Sequence, residues 1–247
     1  MSHEQATIRT QDGECPVHVC TPDGSGPWPA VIFYMDGIGI RPTLLEMSQR
    51  LADQGYVVLL PDLFYRAGPY GPLDPKAIFA NPDAMRSTIG PLFSTTDNQK
   101  AAQDTEAFLG YLDTRDDVAG TKVGTTGYCM GGGMSLTAAA TYPDRVAAAA
   151  SFHGGRLVSD SPTSPHRLAD RITARIYVAG ADNDQHYTAE DASELEQALT
   201  AAGVSHRCEI YPGALHGFTM TDFPVYDEDA AERHWQELDG LLSAQLS

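Results

Sequence analysis

Long apolar runs, closely spaced cysteine pairs, an excess of basic residues, internal repeats and low-complexity tracts are all missing from this chain of 247 residues. No stretch reaches the roughly 18–20 apolar residues that span a bilayer, and residues 1–16 are polar throughout, so neither a membrane span nor a secretory leader is expected. The four cysteines, Cys15, Cys20, Cys129 and Cys208, are scattered and form no C-x-x-C. Cys15 and Cys20 could form a small redox pair but are more simply free thiols, and a reduced, cytoplasmic setting is the economical expectation. Lys and Arg total 16 against 33 Asp and Glu, a formal net charge of −17. That shortage of positive charge disfavours nucleic acid, whose phosphates need a basic surface, and it disfavours an anionic membrane surface. It does not select a substrate, because acidity of this kind is often only a solvated exterior.

What is present is an alternation of strand and helix signals with no linker between them, which predicts a single domain over residues 1–247. Strands are expected at 17–20, 30–35, 56–60, 121–128, 146–152, 174–180 and 207–211. Helices are expected at 43–54, with Thr43 as a possible cap, and at 99–112, 134–142, 190–202 and 230–244. Residues 30–35 are apolar on both faces, as a central parallel strand requires. Repeated βα units predict an α/β architecture with a mostly parallel central sheet and helices on both faces. The exception is residues 61–91, rich in Gly and Pro, which are expected as a loop-rich segment that shapes a substrate pocket.

The most informative segment is Gly127-Tyr128-Cys129-Met130-Gly131, followed by Gly132 and Gly133. A strand, a tight glycine turn and then a helix resemble the nucleophile turn of the α/β-hydrolases, with cysteine where serine usually stands. Free cysteine is usually a small buried apolar group, but this turn projects its central residue outward, and the helix end beside it favours thiolate. A nucleophilic thiol needs a base and a group to orient that base, and in this fold the chain order is nucleophile, acid, histidine. His216, in Leu215-His216-Gly217 after strand 207–211, is the expected base. His153 and His186 are alternatives that could instead line the pocket. Asp184 and Asp182 both follow strand 174–180; Asp184 is the preferred acid, and the other aspartate is expected only to brace the strand exit as an Asx turn. An oxyanion hole is expected from the backbone N–H of Met130 and that of Gly37. Asp36, next to Gly37, could brace its loop by pairing with Arg41.

These segments together resemble the dienelactone hydrolase family, through residues 31–39, 51–64, 123–133 and 211–218. The resemblance implies an α/β-hydrolase fold and a Cys129-His216-Asp184 triad that cleaves an activated ester or lactone through a thioester. The spacing from Asp184 to Thr188-Ala189-Glu190 matches the family's acid better than Asp182 does. Family members carry a glutamate that contacts the resting thiol and helps to activate it. Asp36 falls on that position, one methylene shorter. The arginine that the family places four residues after its catalytic histidine is here Met220, so Arg41, Arg66 or Arg86 would have to hold any substrate carboxylate. The expected partner is a small-molecule ester or lactone, with no cofactor and no metal, acting in a monomer or alternatively a homodimer. A broad-specificity carboxylesterase or thioesterase is the alternative activity, and a non-catalytic binding protein on the same scaffold is a more distant one.

Overall fold

Among the described residues of the computed structural model (2–81, 83 and 85–246), eight strands join in one sheet. They are β1 (Ser2–Arg9), β2 (Glu14–Thr21), β3 (Trp28–Tyr34), β4 (Val57–Pro61), β5 (Val118–Tyr128), β6 (Val146–Phe152), β7 (Arg175–Ala181) and β8 (His206–Tyr211). Their spatial order is β1-β2-β4-β3-β5-β6-β7-β8. All pairings from β4 to β8 are parallel, while β2 runs antiparallel to both β1 and β4. The helices are α1 (Pro42–Asp53), α2 (Pro75–Ala80), α3 (Gly90–Phe93), α4 (Asn98–Asp113), α5 (Met130–Thr141), α6 (Ala189–Ala201) and α7 (Glu228–Leu246). This is the α/β-hydrolase architecture, a mostly parallel sheet flanked by helices on both sides. No helix among the described residues is long and apolar enough to cross a membrane.

Central strands follow their hydrophobicity: every residue of β4 is buried, as are the last five of β3. Strand β1 was not expected, and the reason is physical. It is an edge strand whose only buried residue is Ile8, so no apolar alternation marks it. Thr43 does not cap α1; Pro42 occupies the first turn and Arg41 the cap position, an arrangement that suits proline's missing N–H. Residues 61–91 are less irregular than their composition suggests. Asp74 accepts from the N–H of Lys76 and starts α2 at Pro75, and a π-turn at Met85–Ile89 leads into α3. Residues 82 and 84 of this segment lie outside the described residues.

Helix α5 is buried on all sides from Gly131 to Ala140, and glycines set how closely it approaches the sheet. A β-carbon at Gly127 would run into the carbonyl of Gly131, and one at Gly131 into the carbonyls of Tyr34 and Met35. These partners are backbone atoms that cannot step aside. Gly131→Ala is therefore expected to cost about 3 kcal/mol or more in urea unfolding. Gly110→Ala, on α4 with nothing near its added carbon, is expected to gain up to about 1 kcal/mol.

Candidate active site

Cys129 stands between β5 and α5 with φ 53° and ψ −113°, a left-handed conformation that a residue with a β-carbon adopts only at a cost of about 1–3 kcal/mol. Three backbone bonds hold it there. Its N–H donates to the Phe152 carbonyl at 3.1 Å, and its own carbonyl accepts from Gly132 and Gly155, each at 3.1 Å. The thiol is half-buried. It emerges at the carboxyl edge of the sheet, where the loops after β3, β6, β7 and β8 also end.

From the β8 side comes His216, its side chain 23% exposed, with Nδ1 at 2.6 Å from Oδ2 of Asp184. A carboxylate can only accept, so Nδ1 carries the proton and donates. Nε2 is thereby left for Cys129, whose sulfur raises the ring's proton affinity. Asp184 is buried, and its second oxygen accepts from the N–H of His186 at 2.8 Å. Asp182 does something else: its Oδ2 accepts from the N–H of Gly213 at 2.9 Å, bracing the loop that leads to His216. The two aspartates thus divide into one that meets the imidazole and one that holds the turn.

Burial opposes a charge on His216, yet its hydrogen bonds to Asp184 and Cys129 outweigh this and push the ring up to about 10. Burial likewise opposes the Asp184 carboxylate, but the bond to His216 and the N–H of His186 hold it below the usual carboxylate range. The ring is flanked on two sides. His186 lies 5.1 Å away and His153 5.3 Å away, centroid to centroid. His153 is fully buried and accepts or donates a 2.7 Å bond between Nε2 and Thr219 Oγ1. Burial, then the neighbouring His216 charge, drive it well below an ordinary histidine, so it is a neutral wall and not a second cation.

On the opposite side of Cys129, β3 pairs directly with β5, placing Tyr34 beside Gly127. The loop after β3 therefore begins next to the nucleophile turn and touches the first turn of α5 at Gly131. Among the described residues, neither the N–H of Gly37 nor that of Met130 has a hydrogen-bond acceptor. Asp36 is buried, and Arg41 takes both its oxygens, Nη1 to Oδ1 and Nη2 to Oδ2, each at 2.8 Å. Oδ1 also accepts from Ile38 N–H at 2.9 Å. A hydrogen bond from Asp36 to Cys129 is not among its interactions, so its geometry is that of a loop brace.

The three arginines considered for a substrate carboxylate are otherwise engaged or remote. Arg41 is held by Asp36 and Asp222, and Arg66 by Asp104 and Asp12. Arg86 is 84% exposed beside Asp83. Met220 is fully buried. Sequence reasoning passed over Arg156, which has a left-handed φ of 57° and donates its N–H to the His186 carbonyl at 3.2 Å. Arg156, Arg171 and Arg175 alone among the arginines have no carboxylate within 4.0 Å among the described residues. Arg171 and Arg175 lie at the amino end of β7; Arg156 alone of the three is at the end where Cys129 emerges. Phe93 of α3 packs on Gly37, and Phe79 of α2 packs edge-on to Phe223 at 4.8 Å. Both phenylalanines stay about two-fifths exposed, as does Leu215 by half. Neither these contacts nor Arg156 had a local sequence signal, because each depends on chain segments brought together from afar.

The profile described as "Dienelactone hydrolase family" matches residues 16–246. A Synechocystis sp. protein named "Putative carboxymethylenebutenolidase" is 29% identical over 245 residues, covering 97% of this chain and 96% of that protein. The Pseudomonas putida protein named "Carboxymethylenebutenolidase" is 26% identical over 232 residues, covering 94% and 92%. A crystal structure of a Klebsiella pneumoniae protein described as "Putative Dienelactone Hydrolase" superposes with a TM-score of 0.84 at 23% identity, over 98% of each chain; that likeness speaks to the fold.

The site's electrostatics have a measurable consequence. The His216 ring is expected to stay protonated through pH 8 and to titrate near 10 by ¹⁵N NMR, and Cys129→Ala should lower that midpoint by removing one of its two supports. Because the folded value lies above the ordinary 6.5, the ring's contribution to stability is full below about pH 6.5 and is lost as pH rises through about 10. The stability gap between the wild type and His216→Gln should close over that interval.

Proposed function

The chain belongs to the dienelactone hydrolase family, hydrolases that act on small esters or lactones, and from that premise we propose that it cleaves activated esters and enol-lactones through Cys129, His216 and Asp184. The observation that carries this reading is the 2.6 Å Asp184–His216 bond with Cys129 as the ring's other partner. The thiolate sits at the amino end of a helix of 12 residues, where the unpaired N–H groups favour an anion. It attacks the carbonyl carbon, and the N–H groups of Met130 and Gly37 receive the oxyanion. As the intermediate collapses, the C–O bond breaks and the imidazolium of His216 gives its proton to the departing oxygen.

Acylation then changes the base. Sulfur in the thioester is neutral, so His216 loses the support of the thiolate and its proton affinity falls. Asp184 still holds Nδ1, and Nε2 can take a proton from water as that water attacks the thioester. The thiolate leaves, the acid is released, and the resting ion pair forms again. In this sequence Asp36 braces the oxyanion loop while His216, not Asp36, manages the thiol's proton. Thiolate is a better leaving group than a simple alkoxide, which favours substrates whose own leaving group is a stabilised enolate or phenolate.

A second reading concerns breadth. Phe79, Phe93 and Leu215 expose apolar surface, Phe93 beside Gly37 and Phe79 beside Phe223, and Met220 removes the arginine that the resemblance implied. Both favour a broad carboxylesterase acting on neutral aryl esters. Arg156, which has no carboxylate partner among the described residues, could bias it toward substrates bearing a carboxylate. Intact mass after a brief mix with an activated ester should show one acyl group on the wild-type protein and none on Cys129→Ala, and Asp184→Asn should lower kcat by about 10³-fold. Full turnover by Cys129→Ala would refute the mechanism. Comparing a neutral aryl ester with its hemisuccinate analogue decides breadth: a broad esterase should turn over both at similar kcat/KM. If Arg156 reads a carboxylate, Arg156→Gln should raise KM about tenfold for the hemisuccinate alone.

A further inference from the structure

Arg41 is a buried guanidinium, its side chain 2% exposed, placed between two loops that the proposed reaction uses. Within its own loop it is fully tied: both oxygens of Asp36 accept from it, and Nη1 also donates to the Gly39 carbonyl at 3.1 Å. Its hydrogen bonds out of that loop go to Asp222, Nε to Oδ2 at 2.6 Å and Nη2 to Oδ1 at 3.2 Å. Phe223, the next residue, lies under the guanidinium with its centroid 5.0 Å from Cζ. The same ring packs on Gly217, where a β-carbon would stand 2.6 Å from it. Gly217 directly follows His216. An unbroken set of contacts thus runs from the loop bearing Gly37, through Arg41, to the loop bearing the imidazole.

We propose that Asp222 is a positioning residue for acyl transfer: through Arg41 it fixes the loop that presents the Gly37 N–H, relative to the loop that follows His216. The inference rests on the Cys129 acyl-transfer reading. Asp222 is the accessible end of the device, 26% exposed, whereas Asp36 is 1% exposed. Neutralising Asp222 leaves the inner Asp36–Arg41 pair intact and charge-balanced, so no buried charge is stranded and the fold survives. What disappears is the tie between loops. Displacement of an oxyanion donor costs rate at the carbonyl step, but it costs nothing in a reaction at Cys129 that forms no oxyanion.

Two reactions of the same thiol separate these effects. Alkylation by iodoacetamide is a displacement at carbon: the sulfur–carbon bond forms as iodide leaves, and no oxyanion appears. Acyl transfer from a neutral aryl ester needs the same thiolate and the oxyanion donors besides. In Asp222→Asn, kcat for the ester should fall about tenfold or more, with KM and the alkylation rate within about twofold of wild type. Asp222→Glu, which restores the charge, should recover part of the loss. Unchanged ester turnover in the Asn variant, parallel loss of both reactions, or failure of that variant to fold would each overturn the proposal. A wild-type protein that is alkylated at Cys129 but accepts an acyl group from no ester would overturn the esterase reading, and this one with it.

Discussion

Everything at the carboxyl edge of the sheet depends on how closely α5 can approach β5 and the loop after β3. Gly127 and Gly131 are in backbone contact, and Gly131 also meets the carbonyls of Tyr34 and Met35. Those contacts force the chain to reverse within two residues, and Cys129 takes the positive φ that the reversal requires. The cost of that conformation is offset by the packing of a helix buried on all sides and by the three backbone bonds at Cys129. A half-exposed thiol on a rigid support is the outcome. With the same side chain in relaxed backbone, the usual fate of cysteine would be burial.

Charge is then arranged around that thiol, with Asp184 buried behind the ring of His216. His216 is sandwiched by two imidazoles, and its cation is supported from one side by a buried carboxylate and from the other by sulfur. Because His153 is kept neutral by its burial, it does not compete with His216 for the proton. A second group of charges, Asp36, Arg41 and Asp222, is spent on holding loops together. Carboxylates near a developing negative charge would ordinarily hinder it, and here Arg41 faces both of them.

The parallel core and the order of its elements were legible because hydrophobicity and topology agree there. Strand 146–152 was located to the residue, and β7, β8 and α6 within one or two. Strand β1 was not legible, since one buried isoleucine carries no period, and the short helix at Pro75 was hidden in a segment whose composition signals loops. Cys129 and His216 could be named because a five-residue turn and a strand end are local patterns. Asp184 is preferred over Asp182 by its spacing to Thr188-Ala189-Glu190, and in the fold its carboxylate faces the ring while that of Asp182 faces Gly213. Arg156, Phe93 and Asp222 come from distant parts of the chain, and only three-dimensional proximity gives them meaning.

The shared guanidinium also restricts how this sequence can drift over generations. Lengthening Asp36 to glutamate would push its carboxylate about 1.5 Å further toward Arg41, into space the guanidinium already fills at 2.8 Å. Losing Arg41 would strand one fully buried carboxylate and release another. Changes at positions 36, 41 and 222 should therefore be inherited together, as an epistatic trio. A descendant with glutamate at 36 should also be one that has moved its arginine elsewhere.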